Sequence, residues 1–234
     1  MLGECSDTSG AAADTGSLTH LGVAAYHLEE SVQAGLDAMS SGLSRFPKAD
    51  PDDARLFYTA YTTDPRNAHK AAGVIAIEQK VRCVLPAHEL DPTGEDIVIE
   101  GTLDQIRRDP FGVKRVWDLK TGKKDAYGYM AEYAMQQAAY VLGAVQSIDE
   151  SIQPGGLIVA YGWRRKGVDP KTSPGGVFWN YTHSADDCLL ILDDVRLAVA
   201  LIRRGDVAPG PGPLCSYCPA GGLSNCLPML KKML

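Results

Sequence analysis

The chain has 234 residues, a formal net charge of −6, 45% hydrophobic and 22% charged residues. This is the composition of an ordinary globular protein with room for one sizeable core, and no apolar run approaches the ~20 residues that span a bilayer. An acidic total argues against passive coating of nucleic acid but not against a local basic groove.

The start, "MLGECSDTSGAAADTG", has no basic head followed by an apolar stretch, so no signal peptide is expected. That reading implies a reducing cytoplasm, bacterial, archaeal or phage-encoded. The six cysteines are then thiols or metal ligands rather than disulfides. The first regular element is expected over 17–41, where Leu18, Leu21, Ala25, Leu28, Val32, Leu36 and Met39 recur at helical steps. Asp14 or Thr15 would cap it. A linker at 47–51 leads to a shorter helix over 51–62, and "DPRN" at 64–67 reads as a turn.

The pattern then changes to strands. Residues 73–86 are rich in Val and Ile and end at Pro86; 97–108 and 113–122 flank the turn "DPFG", so they form an antiparallel hairpin. A helix is expected over 127–147, strands over 155–163 and 175–183, and a helix over 184–204 opened by a Ser184/Asp187 capping box. The order is that of an α/β fold, a central mixed sheet flanked by helices. The tail from 206 holds Gly, Pro and three cysteines. Basic clusters at Arg107–Arg108, Lys114–Arg115, Lys120 with Lys123 and Lys124, 163–166 and Arg203–Arg204 are each expected to be solvated faces.

The chemistry gathers around "VWDLKTGKK" (116–124). Strand side chains alternate, so Asp118 and Lys120 share a face. Counted from the "DPFG" turn, Asp104 on the partner strand lies level with Asp118. Spacing alone leaves two readings open. The patch is a cross-strand salt bridge, or it is a pair of carboxylates that repel unless a hard divalent cation sits between them, with a lysine to act on an attacking water.

Taken together, "GTLD" with Asp104, "DLKTG", Gly16-x-x-x-His20 and Gln136-x-x-x-Tyr140 occur in an order that resembles the PD-(D/E)XK nuclease superfamily, in its RecB-like and CRISPR-associated exonuclease branch. The resemblance runs from about residue 5 to 226. It implies a restriction-endonuclease-like core at 13–205 within a single domain, 1–234. It also implies a metal-dependent DNA nuclease, an exonuclease on single-stranded DNA or DNA ends in repair, recombination or phage and CRISPR DNA processing. Mg²⁺ or Mn²⁺ would be held by His20, Asp104, Asp118 and the carbonyl of Leu119. Lys120 would act on the water, and Gln136 and Tyr140 would position the lysine or the strand. Glu78 would be an outer carboxylate or an exposed strand residue, and His27 a structural one. A helicase, a recombinase or a CRISPR adaptation complex would be the partner; no membrane is implied.

In the resembled branch a cysteine before the first helix and three in the tail hold a [4Fe–4S] cluster that staples the chain ends; here these would be Cys5, Cys215, Cys218 and Cys226. Zinc on the same cysteines is the rival. Cys83 and Cys188 read as buried packing residues. Lys123, Lys124, Trp163, Arg164 and Arg165 are candidate DNA contacts, by charge and stacking, or else part of a surface hairpin. A nuclease fold that binds DNA or protein without cutting, with a zinc staple, is the alternative function. "ADTGS" lacks the apolar strand that an aspartic protease motif needs, and no Walker motif is present.

Overall fold

The computed structural model describes residues 10–68, 72–122, 130–162, 175–181 and 183–206. Cys5, Cys215, Cys218, Cys226, Lys123, Lys124, Trp163, Arg164 and Arg165 lie outside the described residues, as does most of the cysteine-rich tail.

The expected first helix is two helices. α1 spans Ala11–Glu29 and α2 spans Val32–Gly42. The pattern of apolar residues runs on across the break, but the backbone does not: Glu30 is left-handed at φ 55° and Ser31 caps α2 by accepting the N–H of Ala34. The two helices fold back on one another where two glycines meet. A Cβ on Gly35 would lie 2.1 Å from the Tyr58 hydroxyl and 2.6 Å from the carbonyl of Gly22. Asp14 and Thr15 are not caps. The helix begins a turn earlier behind Gly10, and the two side chains instead accept the backbone N–H groups of Lys48 and Asp50. They anchor the linker that enters α3, Pro51–Thr63, whose own cap is Asp50. A 3₁₀ turn, Pro65–Asn67, follows where "DPRN" predicts a turn.

Five strands form one sheet in the order β1-β2-β3-β4-β5: Val74–Leu85, Ile97–Arg108, Lys114–Gly122, Gln153–Tyr161 and Gly176–Tyr181. The first three form an antiparallel meander that contains the expected hairpin of β2 and β3. β4 lies parallel to β3 after a crossover through α4, Met130–Ser147, and β5 returns antiparallel. α5, Ala185–Arg204, opens on the expected Ser184/Asp187 capping box.

One face of the sheet carries Leu18, Tyr26, Phe57 and Tyr61 of α1 and α3 against Trp117, Leu119 and Ile158. The other packs Val81, Leu103, Ile106 and Val116 on Val141 and Ala144 of α4, continuing to Cys83, Leu85, Cys188 and Leu192 beside α5. Cys83 and Cys188 are buried, as expected. Among the described residues, no helix is long and apolar enough to cross a membrane.

The sheet forks. β2 and β3 pair only over Gln105–Arg108 and Lys114–Trp117. Beyond that row β2 continues along β1, while β3 continues along β4. Asp104 and Asp118 are the first residues past the fork.

Candidate active site at the fork of the sheet

Helix α1 runs close over β3. A Cβ on Gly16 would lie 3.2 Å from the Thr121 hydroxyl, so a bare Cα lets the helix approach there. One turn later, His20 presents Nδ1 3.2 Å from Asp104 Oδ1 and 3.7 Å from Glu78 Oε1. Asp104 uses its second oxygen to accept the backbone N–H of Leu119 at 2.6 Å. That bond ties the two strands together just where their ladder ends. One ligand atom each from His20, Glu78 and Asp104 lies within 4.8 Å of the others.

On β3, Asp118 is 1% exposed and its Oδ2 lies 2.8 Å from Lys120 Nζ. Lys120 in turn donates to Gln136 Oε1 at 3.1 Å, and Gln136 Nε2 donates to the Tyr140 hydroxyl at 3.0 Å. Gln136 and Tyr140 are one turn apart on α4 and so share a face. The ring of Tyr133, three residues before Gln136, lies under the ammonium at 4.3 Å. The Tyr140 ring in turn occupies the place of a side chain at Gly101, where a Cβ would come within 2.7 Å of Cε1.

Electrostatics at the fork run one way. Burial works against a charged His20, but the carboxylate of Asp104, helped by Glu78, more than offsets it and the imidazole pKa is pushed up to about 10. Burial and the neighbouring charge of Asp104 push Asp118 up to about 7, in spite of Lys120 and His20. Asp104 itself is held low. Burial opposes its charge, but His20 and the Leu119 N–H outweigh that. Carboxylates this close draw protons onto the site because it is short of positive charge. An imidazole nitrogen with two carboxylate oxygens is a donor set that Mg²⁺ or Mn²⁺ accepts, so the residues fit a divalent cation.

The site opens into a cavity of about 650 Å³ lined by Gly16, His20, Arg45, Phe46, Lys120 and Tyr133 among others. His27 lies elsewhere, buried with Nε2 hydrogen-bonded to Tyr61 at 2.7 Å, a structural position as expected. The basic pairs are not solvated faces throughout: Arg107 is 4% exposed, Arg115 pairs with Asp109 and Arg203 with Asp91.

Of the described candidates, the structure brings together His20, Asp104, Asp118, Leu119, Lys120, Gln136 and Tyr140. Glu78, which the sequence leaves as an outer carboxylate or an exposed strand residue, stands beside His20, and the structure adds Tyr133 and Gly101. Tyr133 is legible as an aromatic on the Gln136 face of α4, and Gly101 as a glycine inside a strand, which marks close approach.

A family model described as PD-(D/E)XK nuclease superfamily matches residues 2–223. A comparison with curated proteins finds no match. Among solved structures, the chain is similar to a candidate exonuclease from Eubacterium rectale at 14% identity and a TM-score of 0.45, covering 87% of this chain and 73% of that one. It is also similar to the protein SSO0001 at 15% identity and a TM-score of 0.34, covering 78% of this chain and 74% of that one.

Proposed function

The chain belongs to the PD-(D/E)XK nuclease superfamily, and we propose that it is a divalent-metal-dependent deoxyribonuclease, an exonuclease on single-stranded DNA or DNA ends. The observation that carries this reading is the convergence of His20, Asp104, Asp118 and Lys120 where the sheet forks.

Asp104 and Asp118, with His20 and the Leu119 carbonyl, are the residues that would hold Mg²⁺ or Mn²⁺. When bound, the cation supplies Lewis-acid activation of water and neutralises charge on the phosphate. The remaining work belongs to side chains. Burial opposes the charge of Lys120, but Asp118 at 2.8 Å more than offsets it, and its pKa is raised. Lys120 is therefore a charged donor, suited to orient the attacking water and to stabilise charge developing on the phosphate rather than to remove a proton. Gln136 holds that ammonium in place, and Tyr140 holds Gln136. The ring of Phe46 at the cavity wall offers an aromatic surface for an unpaired base, and Arg45 offers charge for a phosphate.

The cysteine tail is part of the same proposal. Cys5, Cys215, Cys218 and Cys226 would hold a [4Fe–4S] cluster, with zinc the other outcome of iron, sulphide and zinc analysis on anaerobically purified protein.

The test of function uses end-labelled linear DNA and closed single-stranded circles, with Mg²⁺ or Mn²⁺ and with a chelator. Metal-dependent trimming of linear strands is expected. Rapid cutting of circles would replace the exonuclease with an endonuclease, and binding without cutting would leave a silent nuclease fold.

A further inference from the structure

We infer that Glu78 is an additional ligand of the catalytic cation, built into the site by a reversal of strand β1. This rests on the metal-dependent nuclease reading above and adds a residue to it.

Side chains along a strand alternate between faces. Ile77 packs with the α1 and α3 cluster, whereas Val81 packs against α4 and Cys83 and Leu85 continue on that side. All four are odd-numbered, so the alternation reverses between 77 and 81. No residue is inserted, because Ile77 pairs with Gln105 and Gln79 with Leu103 in one register. The reversal is conformational, and it falls on Glu78, whose φ is +47°. That left-handed backbone is uncommon for any residue but glycine, asparagine or aspartate, and rarer still inside a strand. Local strain of this kind gathers where geometry serves function.

The consequence is positional. Glu78 stands in the row of Asp104, and the reversal brings its carboxylate to the α1 side, 3.7 Å from His20 Nδ1. Asp104 has one oxygen committed to the Leu119 N–H, which leaves only Oδ1 facing His20. A hard cation takes about six ligands, so His20, Asp104 Oδ1, Asp118 and the Leu119 carbonyl leave room for a further carboxylate oxygen. Glu78 supplies it, from a third element and within 4.8 Å of both other donors.

The experiment measures Mn²⁺ binding to the full chain, by calorimetry and by the loss of free-ion electron paramagnetic resonance signal. Wild type is compared with Glu78→Gln, Glu78→Asp and, as a control, Glu100→Gln, an exposed glutamate on β2. Glu78→Gln should weaken binding roughly tenfold or more. Glu78→Asp should recover part of it, and Glu100→Gln should match wild type. Anomalous diffraction from wild-type crystals soaked in Mn²⁺ should place the ion about 2.0–2.6 Å from a Glu78 oxygen. This arm decides the matter even if a variant fails to fold. Equal affinity in wild type and Glu78→Gln, or an ion bound at Asp104 and out of reach of Glu78, overturns the inference and leaves the nuclease reading intact. Wild type that binds no Mn²⁺ overturns both.

Discussion

Asp104, one residue past the last rung between β2 and β3, accepts the backbone N–H of Leu119 at 2.6 Å. The same carboxylate closes the fork through Oδ2 and turns Oδ1 toward His20. Structure and chemistry therefore meet on two oxygens of one side chain, and two substitutions separate them.

Asp104→Asn keeps an oxygen for the Leu119 N–H and loses the charge. We expect cleavage to fall by ~10³-fold or more, Mn²⁺ binding to be lost, and the melting temperature without metal to stay near that of wild type. Asp104→Ala leaves that N–H, on a residue 1% exposed, without its acceptor. It should cost a further ~1–3 kcal/mol, read by urea denaturation. If both variants are equally stable, the carboxylate does not hold the fork.

Lys120, Gln136, Tyr140 and Gly101 form a chain of support. Lys120→Met should lower kcat by ~10²–10⁴-fold while Mn²⁺ still binds. Gln136→Ala should lower kcat by a smaller factor, because the lysine survives but loses its partner. Gly101→Ala touches neither, yet its Cβ meets the Tyr140 ring, so kcat should drop as in Gln136→Ala with KM little changed. An unaltered kcat in Gly101→Ala would show that Tyr140 positions nothing.

Much of this was legible in the sequence, and the limits have physical causes. Alternation puts Asp118 and Lys120 on one face, and counting from the "DPFG" turn puts Asp104 level with Asp118; both are local rules and both hold in the structure. The fork is not local. It depends on β3 taking β4 as a parallel partner after the α4 crossover, a pairing more than thirty residues away in the chain. The role of Glu78 hangs on one backbone angle, which the sequence does not display. The break at Glu30 is hidden because the apolar period continues across it, and only the close crossing of Gly22 and Gly35 explains the reversal. Arg107 reads as surface beside Arg108, and α3 and the 3₁₀ turn bury it from another part of the chain.

Acid should weaken the fold through Asp91, which anchors the loop before β2 to α5. Its side chain is fully enclosed. It accepts the N–H and hydroxyl of Thr93 and, at 2.6 Å, Arg203 Nη1. Burial opposes its charge, but those donors outweigh it and the folded pKa lies below the usual carboxylate value. A depressed carboxyl pKa stabilises the fold above the unfolded pKa of about 3.9 and ceases to as pH falls through the folded pKa. The melting-temperature gap between wild type and Asp91→Asn should therefore be constant from pH 7 to 5 and should shrink below about pH 4. A gap that does not change with pH would assign the effect to shape rather than charge.

The last prediction concerns the buried arginine of β2, three residues along the chain from Asp104. Arg107 is 4% exposed. It donates to Gln105 Oε1 at 2.7 Å, the Tyr61 hydroxyl at 2.5 Å, Asn67 Oδ1 at 3.0 Å and the Arg66 carbonyl at 3.3 Å. Its guanidinium also lies 4.9 Å from the Trp179 ring centre. A planar fork with several donors and a stacking face suits this place, and a lysine, with one point of charge, does not. Arg107→Ala strands several buried acceptors at once, and hydrogen bonds to a charged group are each worth ~1.5–3 kcal/mol. We expect a loss of roughly 3 kcal/mol or more, with Arg107→Lys recovering less than half. Gln105 neighbours Asp104 on β2, so the variant should also bind Mn²⁺ more weakly at temperatures where it remains folded. The network would be dispensable if urea denaturation gave a loss below about 1 kcal/mol, the scale of an ordinary surface change.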